Sequence, residues 1–113
     1  MIFHVTSKSE WEWAQRIGVY QPGSLEGDGF IHCSTVDQVI DIANKFFRGQ
    51  TDLILRCIDD TRVTPLVQYE DLYQSQQLYP HIYGALNVDA IISVADLSPK
   101  TDGTFVLPDE WRR

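Results

Sequence analysis

Apolar and polar positions change period along this chain, and the changes predict a strand-helix-strand-helix start followed by clustered strands. Residues 2–5, IFHV, read as a short strand. Thr6 and Ser7 break it. Ser7-Lys8-Ser9-Glu10 fits a capping box, with Ser7 accepting from the backbone and Glu10 reaching back. Trp11, Ala14 and Ile17, at i, i+3, i+6, predict the buried stripe of a helix, and Gly18 its left-handed stop. Residues 19–29 hold Pro22, Gly23, Gly27 and Gly29 and read as a loop. FIHC (30–33) is a second strand. Thr35-x-x-Gln38 is another capping box, opening a helix carried by Val36, Val39, Ile40, Ala43 and Phe47 and ended by Gly49.

The second half lacks helical spacing. LILRCI (53–58) is almost continuously apolar, as expected of a strand covered on both faces. DDTRV is a turn. PLVQYE (65–70) is a strand with Pro65 at its start, where a missing N–H is harmless. Residues 71–89 form a polar-aromatic connection, long enough to suggest function or a hidden short element. AIISVADL (90–97) is a fifth strand, SPKTDG a turn, and TFVLP (104–108) a sixth strand. Two helices in the N-terminal half followed by strands define an α+β class, with a mostly antiparallel or mixed sheet. The 113 residues suit a single domain spanning 1–113.

Composition narrows the function classes. Thirteen aromatics and 43 % hydrophobic residues supply a core, and a chain this long buries about two-thirds of its unfolded surface. The net charge of −7 disfavours broad nucleic-acid binding and anionic membranes. No apolar stretch reaches the length of a membrane span, and Lys8, Glu10 and Glu12 stand where a secretory leader would be apolar. Cys33 and Cys57 are far apart and form no CxxC, so reduced thiols and a cytoplasmic setting are expected.

His4-x-Thr6-Ser7 and His32-x-Ser34-Thr35 are two copies of one pattern. Strand residues i and i+2 share a face, so His4 lies beside Thr6, and His32 beside Phe30 and Ser34. Phe3, Val5, Ile31 and Cys33 are then left for the core. If the two strands neighbour each other, the imidazoles and hydroxyls converge on one pocket. The plainer alternative is that the histidines are structural and the hydroxyls only cap helices. A metal site is not expected, because His4, His32 and His81 show no HxH or HExxH spacing. Cys33 points away from His32, so activation of a nucleophilic thiol is disfavoured. Glu70 ends a strand where it can reach a cleft. YPHIYG (79–84) concentrates Tyr79, His81 and Tyr83, which suit the wall of a site for a flat ring.

IFHVTS, GFIHCST, YE and LYPHIYGALNVDAI, in that order, resemble the bacterial domain of unknown function 952 family across essentially the whole chain. Through it the chain is similar to the ADP-ribosyltransferase-like superfamily. IFHVT, a helix, a glycine and FIHCS resemble the layout of NAD-dependent RNA 2′-phosphotransferases. The resemblance implies a split-sheet α+β fold whose cleft holds NAD or a related small nucleotide. By position it implies His4 on the adenosine-side ribose, the Val5–Thr6 backbone on the nicotinamide carboxamide, and His32 and Ser34 at the nicotinamide end. It leaves the third motif to Glu70 or to the segment His81–Tyr83. Glu70 and His81 are thus the catalytic candidates, and His4, Thr6, His32, Ser34 and Tyr83 the cofactor-binding ones. Two features depart from the pattern. Val5 replaces the usual glycine, and 113 residues leave no room for the RNA-gripping lobe. Three function classes stay open: an NAD-using transferase, a non-catalytic nucleotide-binding domain, and an interaction domain.

Overall fold

The computed structural model describes residues 1–111. Strand β1 (Ile2–Ser7) opens the chain, and Ser7 also caps helix α1 (Lys8–Ile17). Ser7 has extended φ, and its hydroxyl accepts the Glu10 N–H at 3.2 Å. Gly18 closes the helix at φ 87°, donating its N–H to the Ala14 carbonyl at 2.8 Å. Only Ala14 of the predicted stripe is buried; Trp11 is half-buried and Ile17 is 47 % exposed.

Strand β2 (Val19–Tyr20) and the one-turn helix α2 (Ser24–Gly27) stand where a loop was predicted. Strand β3 is reduced to Ile31–His32. Helix α3 (Val39–Phe46) starts three residues later than Val36, because residues 36–38 form a turn. The second capping box is half realised: the Gln38 side chain accepts from the Thr35 N–H at 3.0 Å.

Strand β4 (Leu53–Ile58) is buried at all six positions, as its sequence predicted. It is the middle of an antiparallel sheet ordered β1-β4-β8, where β8 is Ile91–Leu97. On one face Ile2 and Ile58 pack with Ala14, Tyr20, Ile31 and Ile82. On the other Val5, Leu55 and Cys57 pack with Val39, Ala43 and Phe105 of the α3 side.

Strand β5 (Leu66–Glu70) pairs with β6 (Tyr79–Tyr83), and β6 with β3, giving a second antiparallel sheet ordered β3-β6-β5. The predicted connection thus hides a central strand. Strand β7 (Leu86–Asn87) pairs with β2. The expected sixth strand, residues 104–108, is not one. That segment drops Phe105 into the core and ties its N–H to Asn44 Oδ1 at 2.6 Å. Among the described residues every strand pairing is antiparallel, so the mixed-sheet option falls away.

The two three-stranded sheets meet at one bridge. Phe3 donates to the Ser34 carbonyl at 2.7 Å, and Ser34 to the Phe3 carbonyl at 2.8 Å. Beyond it β1 and β3 part.

Leu55, on the central strand β4, is fully buried against the α3 side. Leu55→Ala is expected to cost about 2–5 kcal/mol in urea unfolding; a loss under about 1 kcal/mol would mean that the centre collapses around the gap. Gly84 sits at φ 153°, and a Cβ there would lie 2.8 Å from Pro65 Cβ. Gly84→Ala should therefore lower the melting temperature although it adds a single methyl group.

Candidate functional site

The parting of β1 from β3 opens a cavity of about 870 Å³. Its size falls within the usual range of small-molecule sites. One end is walled by His4, Thr6, Glu10 and Tyr20, the other by His32, Tyr73, Tyr79 and His81. Phe3, Val5, Ser34 and Val39 lie between them.

Strand alternation exposes a backbone edge to this space. Phe3 spends its N–H and C=O on Ser34, away from β4. In an antiparallel strand residue i+2 points the same way. The Val5 N–H and C=O therefore face the same open side, and no partner meets them among the described residues.

At the first end, His4 Nδ1 lies 2.6 Å from the His32 carbonyl oxygen. A carbonyl only accepts, so Nδ1 carries the proton and Nε2 the lone pair. The Tyr20 hydroxyl is 3.0 Å from that Nε2 and 3.1 Å from Glu10 Oε2. Thr6 Oγ1 lies 3.2 Å from both Tyr20 Oη and Glu10 Oε2. The cluster has more acceptors than protons, since one tyrosyl proton faces two acceptors.

Beneath it sits Arg56, the cross-strand partner of His4 and 0 % exposed. Its guanidinium carbon is 3.9 Å from the Tyr20 ring centroid and 5.7 Å from that of Trp11. None of its three side-chain nitrogens has a hydrogen-bond partner, so aromatic faces supply its contacts. Burial first, then the Arg56 charge, pulls His4 down to about 3. Burial pushes Tyr20 up to about 12. Both therefore stay neutral near pH 7.

At the other end, pairing of His32 with His81 across β3 and β6 puts Phe30, His32, His81, Tyr83 and Glu70 on one sheet face. His32 Nε2 is 2.8 Å from Asp28 Oδ2 and half-exposed. His81 is buried and lies flat on Phe30, with ring centroids 4.0 Å apart and planes at 25°. Its Nδ1 is 2.9 Å from Glu70 Oε1, and the Tyr83 hydroxyl donates to the same oxygen. The Tyr83 bond first, then that from His81, holds the Glu70 carboxyl below its ordinary value.

His4, Thr6, His32, Ser34 and His81 all line the one cavity. Glu70 and Tyr83 are not on its lining; they reach His81 through the shared Glu70 oxygen. Cys33 lines the cavity as well as the core, so strict alternation fails where β3 ends. Burial pushes its thiol up to about 12, which leaves it inert. Sequence reasoning missed Tyr20 and Arg56. It saw Glu10 only as a capping partner; the side chain turns instead to Thr6 and Tyr20. Among the described residues no group of three or more His, Cys, Asp or Glu is placed to hold a metal ion. No helix there is long and apolar enough to cross a membrane.

Residues 5–94 match the family model described as protein of unknown function (DUF952), and the chain belongs to that family. It is similar to protein CC0527 from Caulobacter crescentus. The X-ray structure of CC0527 shares 31 % identity, covers 96 % of both chains and superposes with a TM-score of 0.87. Its solution NMR structure shares 32 % identity over 91 % of this chain and 89 % of that one, at a TM-score of 0.77. None of the curated proteins matches the chain.

Two measurements probe the His4 end. The ¹⁵N shifts of His4 at pH 5 should report a neutral ring protonated at Nδ1, and an imidazolium there would refute the placement. Because the folded value lies below the unfolded 6.5, His4 stabilises the fold above pH 6.5. That contribution is lost as pH falls from 6.5 toward 3. The pH slope of the melting temperature over this window should be shallower in His4→Gln.

Proposed function

We propose that this protein is an ADP-ribosyltransferase-like domain whose cleft binds NAD or a related nicotinamide nucleotide. The open peptide edge at Val5, set inside the cavity, carries this reading. A free N–H and C=O on one residue offer a donor and an acceptor side by side, the complement of a primary carboxamide such as that of nicotinamide. The His4 end complements a ribose. The Glu10 carboxylate has more lone pairs than the Thr6 and Tyr20 hydroxyls fill, and ribose hydroxyls are donors.

A nicotinamide glycosidic bond breaks with positive charge growing on the ribose; the Glu10 carboxylate on the lining supports that charge, and the buried Arg56 cation beneath His4 favours placing the reacting carbon toward the His81–Glu70 end. Lys45 is the one Lys or Arg on the described lining, so the phosphates of a dinucleotide are directed to its rim. A domain that binds without turnover uses the same contacts, and nicotinamide release separates the two.

Titration of ¹⁵N-labelled protein with NAD is expected to shift the Val5 amide and the His4 ring together, and His4→Ala to weaken binding about tenfold or more. Unmoved Val5 and His4 resonances at millimolar NAD would sink the proposal.

A further inference from the structure

We infer that His81, oriented by Glu70 and Tyr83, is a general base that activates a hydroxyl acceptor (water or an alcohol) against a ribosyl donor in the cavity. The inference rests on the nicotinamide-nucleotide reading above and adds the acceptor class and the residue that takes its proton.

The geometry is that of a built relay. Glu70 Oε1 can only accept as a carboxylate, so His81 Nδ1, 2.9 Å away, bears the hydrogen. The lone pair is then on Nε2. That atom has no protein partner among the described residues, is not among the buried polar atoms left unpaired, and belongs to a side chain lining the cavity. The ring cannot turn away. It is 1 % exposed, lies on Phe30, and is pinned at Nδ1. Tyr83 donates to the same Glu70 oxygen and fixes the carboxylate from its other side.

No other imidazole combines these properties. His4 spends Nδ1 on the His32 carbonyl and Nε2 on Tyr20, with the Arg56 cation beneath it. His32 is half-exposed, and its Nε2 is occupied by Asp28. A base needs a free lone pair, a fixed ring and a counter-charge for the imidazolium it becomes. The sequence pattern explains how His81 gets all three. Glu70 ends β5 as the register partner of Tyr79, two residues from His81 on the same face of β6.

The step balances. The C1′–N bond to nicotinamide breaks, and its electron pair returns to the ring nitrogen and neutralises the pyridinium. The acceptor oxygen bonds to C1′ and its proton passes to His81 Nε2. The Glu70 carboxylate stabilises the resulting imidazolium without taking the proton. Glu70 and Tyr83 are thus positioning residues and His81 the catalytic one.

The test measures NAD affinity and nicotinamide release separately on the full chain, with and without methanol. The wild type should release nicotinamide, forming ADP-ribose in water and methyl ADP-ribose in methanol; either product supports a hydroxyl acceptor. Glu70→Gln keeps an acceptor for His81 and Tyr83 but removes the charge. It should lower kcat on the order of 10²-fold and leave the NAD Kd within about twofold. His81→Gln should lose release at retained affinity, and Tyr83→Phe should lower kcat by less than Glu70→Gln. If NAD binds and Glu70→Gln and His81→Gln turn over like the wild type, or the wild type releases no nicotinamide, the base role is overturned and the binding reading stands. Absence of NAD binding overturns both.

Discussion

Two hydrogen bonds between Phe3 and Ser34 set the geometry of everything near the cavity. This single backbone bridge joins the two sheets and leaves Val5 beyond it unpaired. Had β1 and β3 stayed paired for another two residues, Val5 would be spent in a ladder and no hollow would form. An unpaired strand edge is ordinarily a hazard, because it invites another chain. Here the open edge lies inside a concavity, lined also by Val39 and Ile42 of α3 and by His32 and His81 of the second sheet.

The same wedge explains why a charged group sits in the core. Position 56 must face the first cluster, because β4 alternates and its neighbours Leu55 and Cys57 are committed to the α3 side. Arginine there carries a charge with no carboxylate in contact. The Tyr20 and Trp11 rings cover it, and Glu10 lies nearby through Tyr20. The consequence falls on His4, its cross-strand neighbour, which cannot take a proton near pH 7. Arg56 is not on the cavity lining, so truncating it would alter the site through its charge and through the packing it gives Tyr20.

How much of this is legible in the sequence depends on the period of each element. β4 was plain, because six consecutive buried positions write an unbroken apolar run. The His-x-hydroxyl pairs were plain too, because two copies in like contexts stand out, and both reach one cavity. β6 was hidden. It contains Pro80, which is rare in a central strand. The structure tolerates it because β3 ends at His32. Pro80 contributes only its carbonyl, to the Cys33 N–H at 3.0 Å, and its missing N–H would have faced the same side. Residues 104–108 failed the other way. Thr, Phe and Val look like a strand, but what fixes them is one long-range bond to Asn44, which no local pattern encodes. Arg56 and Tyr20 escaped notice for a similar reason, since cross-strand pairing and a two-residue ribbon bring them to His4.

The two histidine ends differ in the direction in which they can move a proton. His4 holds a lone pair already shared with a hydroxyl, above a buried cation that penalises any added charge. It can orient a donor and cannot keep a proton. His81 holds a lone pair facing space, backed by a carboxylate that a second hydroxyl keeps ionised. It can take a proton and has a counter-charge waiting. In sequence each lies between apolar neighbours, Phe3 and Val5 for His4 and Pro80 and Ile82 for His81, so local composition does not separate their roles. What separates them is the strand each neighbours: β4 brings an arginine to His4, and β5 brings a glutamate to His81.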